Sequence, residues 1–398
     1  KVSAFTSTYR RNEFTINVDQ ELFNSNQNRV QEKGIKSELS YTPSKELQLT
    51  GGYQYTDTEI TDAVSNAAGS SINSTTKSRY SNALFVQSTV TLFDSKTTLS
   101  GGLRFTEYPT ISRNFLEPRL HIDQKLNAFF RLQFSGELKH QSIYQTVNVQ
   151  NNLLGVETRD WLLADGLCNP FLESKQVGAG LNFNNRGWTL AVDGYLKDVT
   201  GINTQNLGFR NQLQDQRFIG SYYVEGIEFS ANKRTSNINV WLSYAYQDNT
   251  YTFDDFSDST FRNQLDSAHS LTIAGSIDYK NFSFSLGNTF KSGLPYTKPV
   301  LGNEIITTEA GSVINFETPN AETLPSYFRS DFSASYDLKL DETFSGKINI
   351  AFLNLLNRKN QLDRYYILDR DDSGLPTLRQ VDQFSLGFTP NISLQLRF

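Results

Sequence analysis

The sequence predicts an all-β fold, specifically a transmembrane antiparallel β-barrel, from three observations. Alternating apolar and polar residues recur along the whole chain of 398 residues. Aromatic residues make up 13% of the chain although hydrophobic residues total only 37%. The connections between the alternating stretches are themselves alternately short and long. Because only the lipid-facing half of a barrel strand has to be apolar, a barrel fits this polar but aromatic composition.

Period-two alternation identifies the strands, because successive side chains of a strand point to opposite faces. It predicts about sixteen strands and no helix in one domain, residues 1–398. In chain order the strands are 11–24, 30–42, 46–61, 78–92, 96–107, 115–124, 128–142, 174–184, 187–199, 221–233, 236–250, 267–279, 281–293, 326–340, 343–357 and 382–398.

The connections form two sets from the second strand onward. The short turns are 43–45, 94–96, 125–127, 184–187, 235–237, 280–281 and 340–343. The longer connections are 62–77, 108–114, 143–173, 200–220, 251–266, 294–325 and 358–381. Because outer-membrane barrels have short periplasmic turns and longer outside loops, this segregation by length favours a barrel over a soluble sandwich or propeller.

The two faces of the predicted strands differ in charge. Phe130, Leu132 and Phe134, for example, alternate with Arg131 and Gln133. An Arg or Lys on the lipid face would cost about 2–4 kcal/mol at the bilayer midplane, so the charged face points into the lumen. Its charges have both signs: Arg104, Arg131, Lys139, Lys197, Arg329, Lys339 and Arg397 against Glu137, Asp193, Glu228, Asp331 and Asp337. Mixed signs fit either a wall that pairs with a folded plug or a solvated lumen.

Composition and motifs disfavour several function classes. No run of eighteen apolar residues exists, so a transmembrane helix is not predicted. A net charge of −5 argues against a nucleic-acid partner, and Cys168 alone forms neither a disulfide framework nor a cysteine metal cluster. The three histidines, His121, His140 and His269, belong to no hydrolase motif. The chain is therefore predicted not to be an enzyme and to need no cofactor.

One acidic segment partly matches a calcium loop. Asp369, Asp371 and Ser373 in LDRDDSG follow the first half of that pattern, but Gln380 stands where a bidentate Glu is required. The alternative interpretation is a tight turn at the tip of an outer hairpin. Calcium binding is thus a weak candidate, and no other metal site is predicted.

Aromatic residues concentrate near the strand ends, in the pairs Tyr222 and Tyr223, Tyr244 and Tyr246, and Tyr365 and Tyr366. Aromatic belts at the two membrane interfaces are typical of membrane proteins. Stacking platforms for a sugar or an aryl chelator are the alternative. The sequence leaves both interpretations open.

Several blocks of the sequence follow one another in a defined order. They are FLEPRLHIDQKLNAFFRLQFSGELKHQ (115–141), CNPFLESKQVGAGLNF (168–183), YYVEGIEFSANK (222–233), WLSYAYQ (241–247), DSAHSLTIAGSIDY (266–279), FKSGLPYT (290–297), LPSYFRSDFSASYDL (324–338), FLNLLNRKN (352–360) and the terminal FTPNISLQLRF. In this order and spacing, the chain from about Phe115 to Phe398 resembles the carboxy-terminal barrel of TonB-dependent outer-membrane receptors, particularly those of Bacteroidetes-type bacteria.

The resemblance implies a location in the bacterial outer membrane and a barrel of 22 strands with a plug domain. About six strands and the plug would then precede the present chain. It also implies active import of a scarce ligand, such as a ferric chelate, cobalamin or a glycan, driven by the TonB system acting on the plug. We expect the ligand contacts in the loops 143–173, 200–220, 294–325 and 358–381. A SusC-like glycan importer would add a SusD-like surface lipoprotein as partner.

The terminal stretch from Phe384 to Phe398 alternates without interruption and is predicted to cross the bilayer. By resemblance, Phe398 with Leu396 and Leu394 forms the insertion signal that the barrel-assembly machinery reads. An interfacial aromatic residue without that role is the alternative for Phe398.

Three other functions remain open at this stage. A barrel of sixteen strands has the size of a passive porin, although no inward-folded constriction loop can be identified from the sequence. A receptor-like barrel that serves as a structural subunit of an outer-membrane complex is another alternative, and an outer-membrane enzyme is the third. In every case the wall contacts outer-membrane lipid.

Overall fold

A computed structural model describes residues 1–17, 22–66, 71–145, 161–205, 217–255, 259–308, 311–339 and 345–397. Within these ranges the regular structure is β, apart from one 3₁₀ turn at Pro109–Ile111. No helix of the described part is long and apolar enough to cross a membrane. The predicted all-β fold is confirmed.

Sixteen long strands form one continuous antiparallel wall, which we label β1 to β16. They are β1 Val2–Asn17, β2 Leu22–Tyr41, β3 Leu47–Asn66, β4 Ser71–Leu92, β5 Thr97–Tyr108, β6 Arg113–Lys125, β7 Phe130–Gln141, β8 Leu172–Asn185, β9 Trp188–Gln205, β10 Arg217–Arg234, β11 Ile238–Thr252, β12 His269–Tyr279, β13 Phe282–Lys291, β14 Tyr327–Lys339, β15 Ser345–Leu353 and β16 Thr389–Arg397. Each strand pairs with the next along the chain, from β1–β2 to β15–β16. The predicted number of strands is therefore correct, and the strands form a meander.

Short strands occupy the long connections at one end of the wall, which we call the loop end; the opposite end is the turn end. They pair as Ile143–Gln145 with Trp161–Leu163, Thr260–Arg262 with β11, Pro295–Tyr296 with Glu322–Thr323, Ile305–Thr308 with Gly311–Ile314, and Gln361–Arg370 with Pro376–Phe384. The long loops thus carry hairpins of their own.

The first strands differ from the prediction in their bounds. β1 covers Val2–Asn17 rather than 11–24. β3 continues to Asn66, and β4 begins at Ser71. The segment 62–77, predicted as a long loop, is therefore mostly strand. Polar residues such as Asp62 and Thr75, which lie opposite each other, continue the ladder there because backbone pairing needs no apolar side chain beyond the membrane.

The last strand is also shorter than predicted. β16 covers Thr389–Arg397, whereas Phe384 ends a strand of the loop hairpin. The two strands are separated by a bend at Phe388. At the preceding Gly387 an added Cβ atom would lie 2.7 Å from Oδ1 of Asn357. The same oxygen accepts a hydrogen bond from the backbone N–H of Phe388 at 2.9 Å. Alternation continues across the bend, so the pattern alone did not reveal it.

The register confirms that the two faces of the wall differ. Leu84 and Val86 on β4 lie opposite Phe105 and Leu103 on β5, and all four side chains are exposed. The neighbouring residue Arg104 points to the other face and contacts Glu117 of β6. Large apolar side chains therefore cover the lipid face and charged ones the lumen face.

Buried asparagines fasten the final long loop to the wall. Asn360, only 2% exposed, accepts a hydrogen bond from the N–H of Phe328 and donates one to the carbonyl oxygen of the same residue, each at 2.9 Å. Asn354, equally buried, donates to the carbonyl oxygens of Arg358 and Leu386. These side-chain bonds replace ladder bonds where the chain leaves the sheet.

Candidate functional site

A polar pocket of about 370 Å³ lies on the lumen face near the loop end, against β2 to β7 and the start of the following loop. We call it the lumen pocket. Its charged lining residues are Arg79, Arg104, Arg119, Lys139, Glu32 and Glu117. Four cationic side chains therefore face two carboxylates, although the chain as a whole carries a net charge of −5.

Two of the four cations have partners within the protein. Nε of Arg104 lies 3.5 Å from Oε2 of Glu117, and Nζ of Lys139 lies 2.7 Å from Oε1 of Glu137. In the described part of the chain neither Arg79 nor Arg119 forms an ion pair, although the carboxylate of Asp165 in the loop after β7 attracts Arg79. Nε and Nη1 of Arg79 are buried without a hydrogen-bond partner. Positive charge is thus left over in the pocket.

His140 and Glu117 form the floor of the lumen pocket. Nδ1 of His140 lies 3.0 Å from Oε1 of Glu117, and its Nε2 lies 2.9 Å from the hydroxyl oxygen of Tyr108. The ring of Phe115 stacks on the imidazole with 4.1 Å between centroids, and Phe171 packs against Tyr108. This aromatic cluster fixes the carboxylate of Glu117 and, through it, the guanidinium of Arg104.

The loop that follows β7 folds back over the lumen face. Its short strand at Trp161–Leu163 reaches β2, where Oδ1 of Asn28 accepts the N–H of Trp161 at 3.3 Å and Nδ2 donates to its carbonyl oxygen at 3.4 Å. The ring of Tyr9 meets that of Trp161 edge-on at 6.1 Å. An inward-folded segment, which the sequence had not revealed, therefore borders the lumen pocket.

Two of the predicted ligand loops, 143–173 and 200–220, contact each other. Nδ2 of Asn203 donates to the carbonyl oxygen of Cys168 at 3.1 Å. A buried apolar cluster joins them to the loop after β11: Val199, Ile202, Phe218, Tyr251, Phe253 and Phe261. Residues 146–160 and 206–216 of these loops lie outside the described residues.

The other two predicted loops, 294–325 and 358–381, meet at a charged cluster. Arg364 binds both carboxylate oxygens of Asp382, at 2.7 and 3.1 Å, and contacts the hydroxyl of Tyr296 at 3.2 Å. Hydrogen bonding between the two groups raises the pKa of Arg364 and lowers the pKa of Asp382. Lys298 similarly pairs with Glu322 and Glu317.

The loop after β11, which was not among the predicted ligand loops, connects the first pair of loops (143–173 and 200–220) to the second pair (294–325 and 358–381). Nη1 of Arg262 donates to the hydroxyl of Thr323 at 3.0 Å, and Nδ2 of Asn320 donates to the carbonyl oxygen of Arg262 at 2.8 Å. The long loops from β7 to β16 therefore form one connected layer at the loop end.

The weak calcium candidate lies at the tip of the last loop hairpin. Oδ2 of Asp369 is 3.3 Å from Nε of Arg379, while Oδ1 of Asp371 accepts the N–H groups of Ser373 and Leu375. Within the described ranges no group of three acidic, His or Cys side chains is placed to hold a metal. The turn interpretation accounts for these contacts, and calcium binding stays an untested prediction.

The predicted insertion signal is only partly described. Leu394 and Leu396 are exposed on the same face of β16, opposite Ile348 and Gly346 of β15. Phe398 lies outside the described residues. Recognition by the barrel-assembly machinery therefore stays a prediction.

The predicted tyrosine pairs separate on the two faces or in the loops. Tyr223 and Tyr246 are exposed on the lipid face, as interfacial aromatics are. Tyr222 packs against Tyr251 on the opposite face, and Tyr365 is buried in the last loop hairpin. An interfacial position thus fits only some members of these pairs.

Sequence reasoning placed Arg104 and Lys139 on the lumen face but missed Arg79, Arg119 and Glu117. The available signal was their place on the polar face of β4 and β6. Arg79, for example, lies on the face of β4 opposite to the one that carries the exposed Leu84. Their common height on the wall, however, depends on the register between strands.

Comparisons with known proteins agree with this architecture. A family model described as "TonB dependent receptor-like, beta-barrel" matches residues 2–357. Sequence comparison with curated proteins gave no match.

Three similar solved structures illustrate the shared fold. They are the ferric citrate transporter FecA, unliganded (TM-score 0.68, 13% identity), BauA, the ferric preacinetobactin receptor from Acinetobacter baumannii (0.61, 11%), and a mutant of PfeA, the ferric enterobactin receptor from Pseudomonas aeruginosa (0.63, 13%). Each superposition covers 100% of this chain but only 58%, 60% and 58% of those structures, respectively. At this identity they establish the fold alone.

Receptors of this family are transport proteins of the bacterial outer membrane, which confirms the predicted location and the prediction that the chain is not an enzyme. The comparisons do not single out the Bacteroidetes-type receptors. With a family match across residues 2–357, the chain belongs to the TonB-dependent receptor β-barrel family.

Proposed function

We propose that the chain is the barrel of a TonB-dependent receptor that imports an anionic ligand, of the ferric chelate class, across the outer membrane. The observation that carries the proposal is the lumen pocket, where Arg79 and Arg119 remain unpaired among the described residues. Arginine forks bind carboxylates and other planar anions bidentately, so two free guanidinium groups suit such a ligand.

Among the three ligand classes implied by the sequence, the pocket favours ferric chelates. Glycan sites generally rely on stacking aromatics, whereas the charged groups of this pocket outnumber its two aromatic rings, those of Tyr108 and His140. The similar structures include receptors named for ferric citrate, ferric preacinetobactin and ferric enterobactin. Their names support the proposal without establishing the ligand of this chain.

The proposal includes a plug domain and further strands in the same protein. The chain spans 58–60% of the length of the three structures compared above, which leaves room for such segments. The lumen face, with its paired charges such as Lys347 with Asp337 and Arg329 with Asp331, offers a wall for a plug to contact. TonB would act on that plug to open the path.

Uptake by the full-length receptor tests the ligand class. A deletion strain is complemented with the wild type or with the double variant Arg79→Gln/Arg119→Gln, and is given ferric citrate, a ferric catecholate chelate, cyanocobalamin or a maltooligosaccharide. We expect uptake of a ferric chelate and a decrease of about tenfold or more in the variant, because two charge-assisted contacts are lost.

Arg131→Gln is the matched control, because Arg131 lies on the lumen face at the turn end and is already paired with Asp123. Its uptake should remain close to that of the wild type. Uptake of cyanocobalamin or the oligosaccharide but of neither chelate would refute the proposed ligand class.

A passive channel is the second candidate, because the segment around Trp161 folds inward as a porin constriction loop does. The two functions differ in their need for energy. Uptake that is unchanged in a strain lacking TonB would support the channel, whereas loss of uptake would support the receptor.

A further inference from the structure

Among the described residues, the turn end of the wall carries cations without an ion-pair partner over one sector, from β8 to β13. Arg186 lies in the turn after β8, Lys233 and Arg234 end β10, and Lys280 lies in the turn after β12. We call these residues, with the neighbouring Trp188 and Tyr279, the rim sector. Its positive charge contrasts with the net charge of −5 of the chain.

Lys233 lies over an aromatic ring at the membrane boundary. Its Nζ atom is 5.0 Å from the ring centroid of Trp188, its cross-strand partner, and donates to the carbonyl oxygen of Arg186 at 2.9 Å. Trp188 is 44% exposed and shares the lipid face with Val192. The two-residue turn Arg186–Gly187, with φ values of 47° and 77°, holds the carbonyl oxygen of Arg186 towards this lysine.

A second lysine–aromatic contact, between neighbours in sequence, lies at the end of β12. Nζ of Lys280 is 5.4 Å from the ring centroid of Tyr279, which is 61% exposed and shares the lipid face with Ile277. The two lysine–aromatic units belong to strands two positions apart, which corresponds to about 10 Å along the rim. Exposed Phe282 extends the aromatic boundary onto β13.

Within the described ranges no carboxylate forms an ion pair with Arg186, Lys233 or Lys280. The acidic residue nearest to Lys280 in sequence, Asp278, accepts a hydrogen bond from the hydroxyl of Ser283. By contrast, the turns after β2 and β4 carry a carboxylate beside each lysine, Glu46 with Lys45 and Asp94 with Lys96. The lysines of those two turns are therefore balanced by acidic neighbours, unlike the cations of the rim sector.

We propose that the rim sector binds anionic phospholipid headgroups of the periplasmic leaflet. Trp188 and Tyr279 fix the depth of the wall at the headgroup level, because amphipathic rings prefer that interface. The lysine stems lie along these rings and present their ammonium groups to lipid phosphates. Each cation near an anionic membrane surface raises affinity on the order of fivefold, so two lysines give about 25-fold.

Native mass spectrometry of the full-length receptor, released from bilayers of phosphatidylethanolamine and phosphatidylglycerol, tests this proposal. The wild type should retain phosphatidylglycerol above its bulk fraction. In Lys233→Gln/Lys280→Gln the ratio of retained phosphatidylglycerol to phosphatidylethanolamine should decrease at least fivefold. The control, Lys45→Gln/Lys96→Gln, removes the same charge from other short turns and should leave the ratio unchanged.

A second variant separates headgroup binding from folding defects. Lys233→Arg/Lys280→Arg keeps both charges and should keep the enrichment, and heat-modifiable migration in SDS gels checks that each barrel is folded. Equal losses in the test and control variants, or an unchanged ratio in a folded Lys233→Gln/Lys280→Gln barrel, would overturn the proposal. None of these outcomes depends on which ligand is imported.

Discussion

Individual charged residues decide what the lumen pocket can hold. The carboxylate of Glu117 lies 3.5 Å from Nε of Arg104 and 3.0 Å from Nδ1 of His140, so it already has partners within the protein. Among the described residues Arg79 and Arg119 form no ion pair, although Asp165 attracts Arg79. An anion that enters the pocket therefore meets two guanidinium groups without first having to displace a carboxylate from them.

The pair Arg364 and Asp382 predicts how acid affects the last loop hairpin. Because hydrogen bonding from Arg364 lowers the pKa of Asp382, the pair stabilises the hairpin fully above the unfolded pKa of about 4. This contribution is lost as the pH decreases through the lowered folded value. Amide hydrogen exchange of Gln361–Phe384 should therefore accelerate in Asp382→Asn at neutral pH by several-fold, and the difference from the wild type should vanish in strong acid.

Asp369→Asn serves as the control for that prediction. The pair Asp369 and Arg379 lies in the same hairpin, but both side chains are more than half exposed, and exposed pairs contribute little. Exchange that is equally fast in both variants would show that Asp382 has no special role.

At the level of elements, the asparagines that replace ladder bonds are the sites where a small change should matter most. Asn360→Ala leaves the N–H and the carbonyl oxygen of Phe328 without their partner in a buried position. We expect the variant to lose about 1–3 kcal/mol of unfolding free energy. Urea unfolding of the receptor in micelles, followed by tryptophan fluorescence, measures this loss.

Asn237→Ala is a suitable control, since Asn237 lies exposed in the turn after β10 and, within the described part of the chain, only its backbone makes hydrogen bonds. Its unfolding midpoint should match that of the wild type. A midpoint for Asn360→Ala within error of this control would contradict the role assigned to Asn360.

For the whole molecule, the segregation of short turns and long loops predicts an orientation in the membrane. Cys168 is the one cysteine of the chain and is exposed in the loop after β7. A membrane-impermeant maleimide should therefore label the receptor on intact cells. In the variant Cys168→Ser/Ser236→Cys the thiol lies in a short turn, and labelling should require permeabilised cells. The reverse pattern would invert the proposed orientation.

The strand wall was largely predictable because alternation is a local property. Each predicted strand has a counterpart in β1 to β16, and the lipid face of β7, with Phe130 and Phe134, was read correctly. The bounds of β1 and β16 were wrong, since alternation does not mark where a strand leaves the sheet. That position is set by contacts such as the one between Asn357 and Phe388.

The sequence by itself thus determined the class of fold, the number of strands and the side on which their charges lie. Only the tertiary structure decided that Arg79, Arg104, Arg119 and Lys139 line one pocket, and that the segment around Trp161 folds inward beside it. The physical reason is the range of the interactions. The face on which a side chain lies follows from the pleat of its strand, whereas the position of side chains at the same height on the wall depends on the register between strands. The folding of the loops depends on contacts such as that of Asn28 with Trp161, which are 133 residues apart.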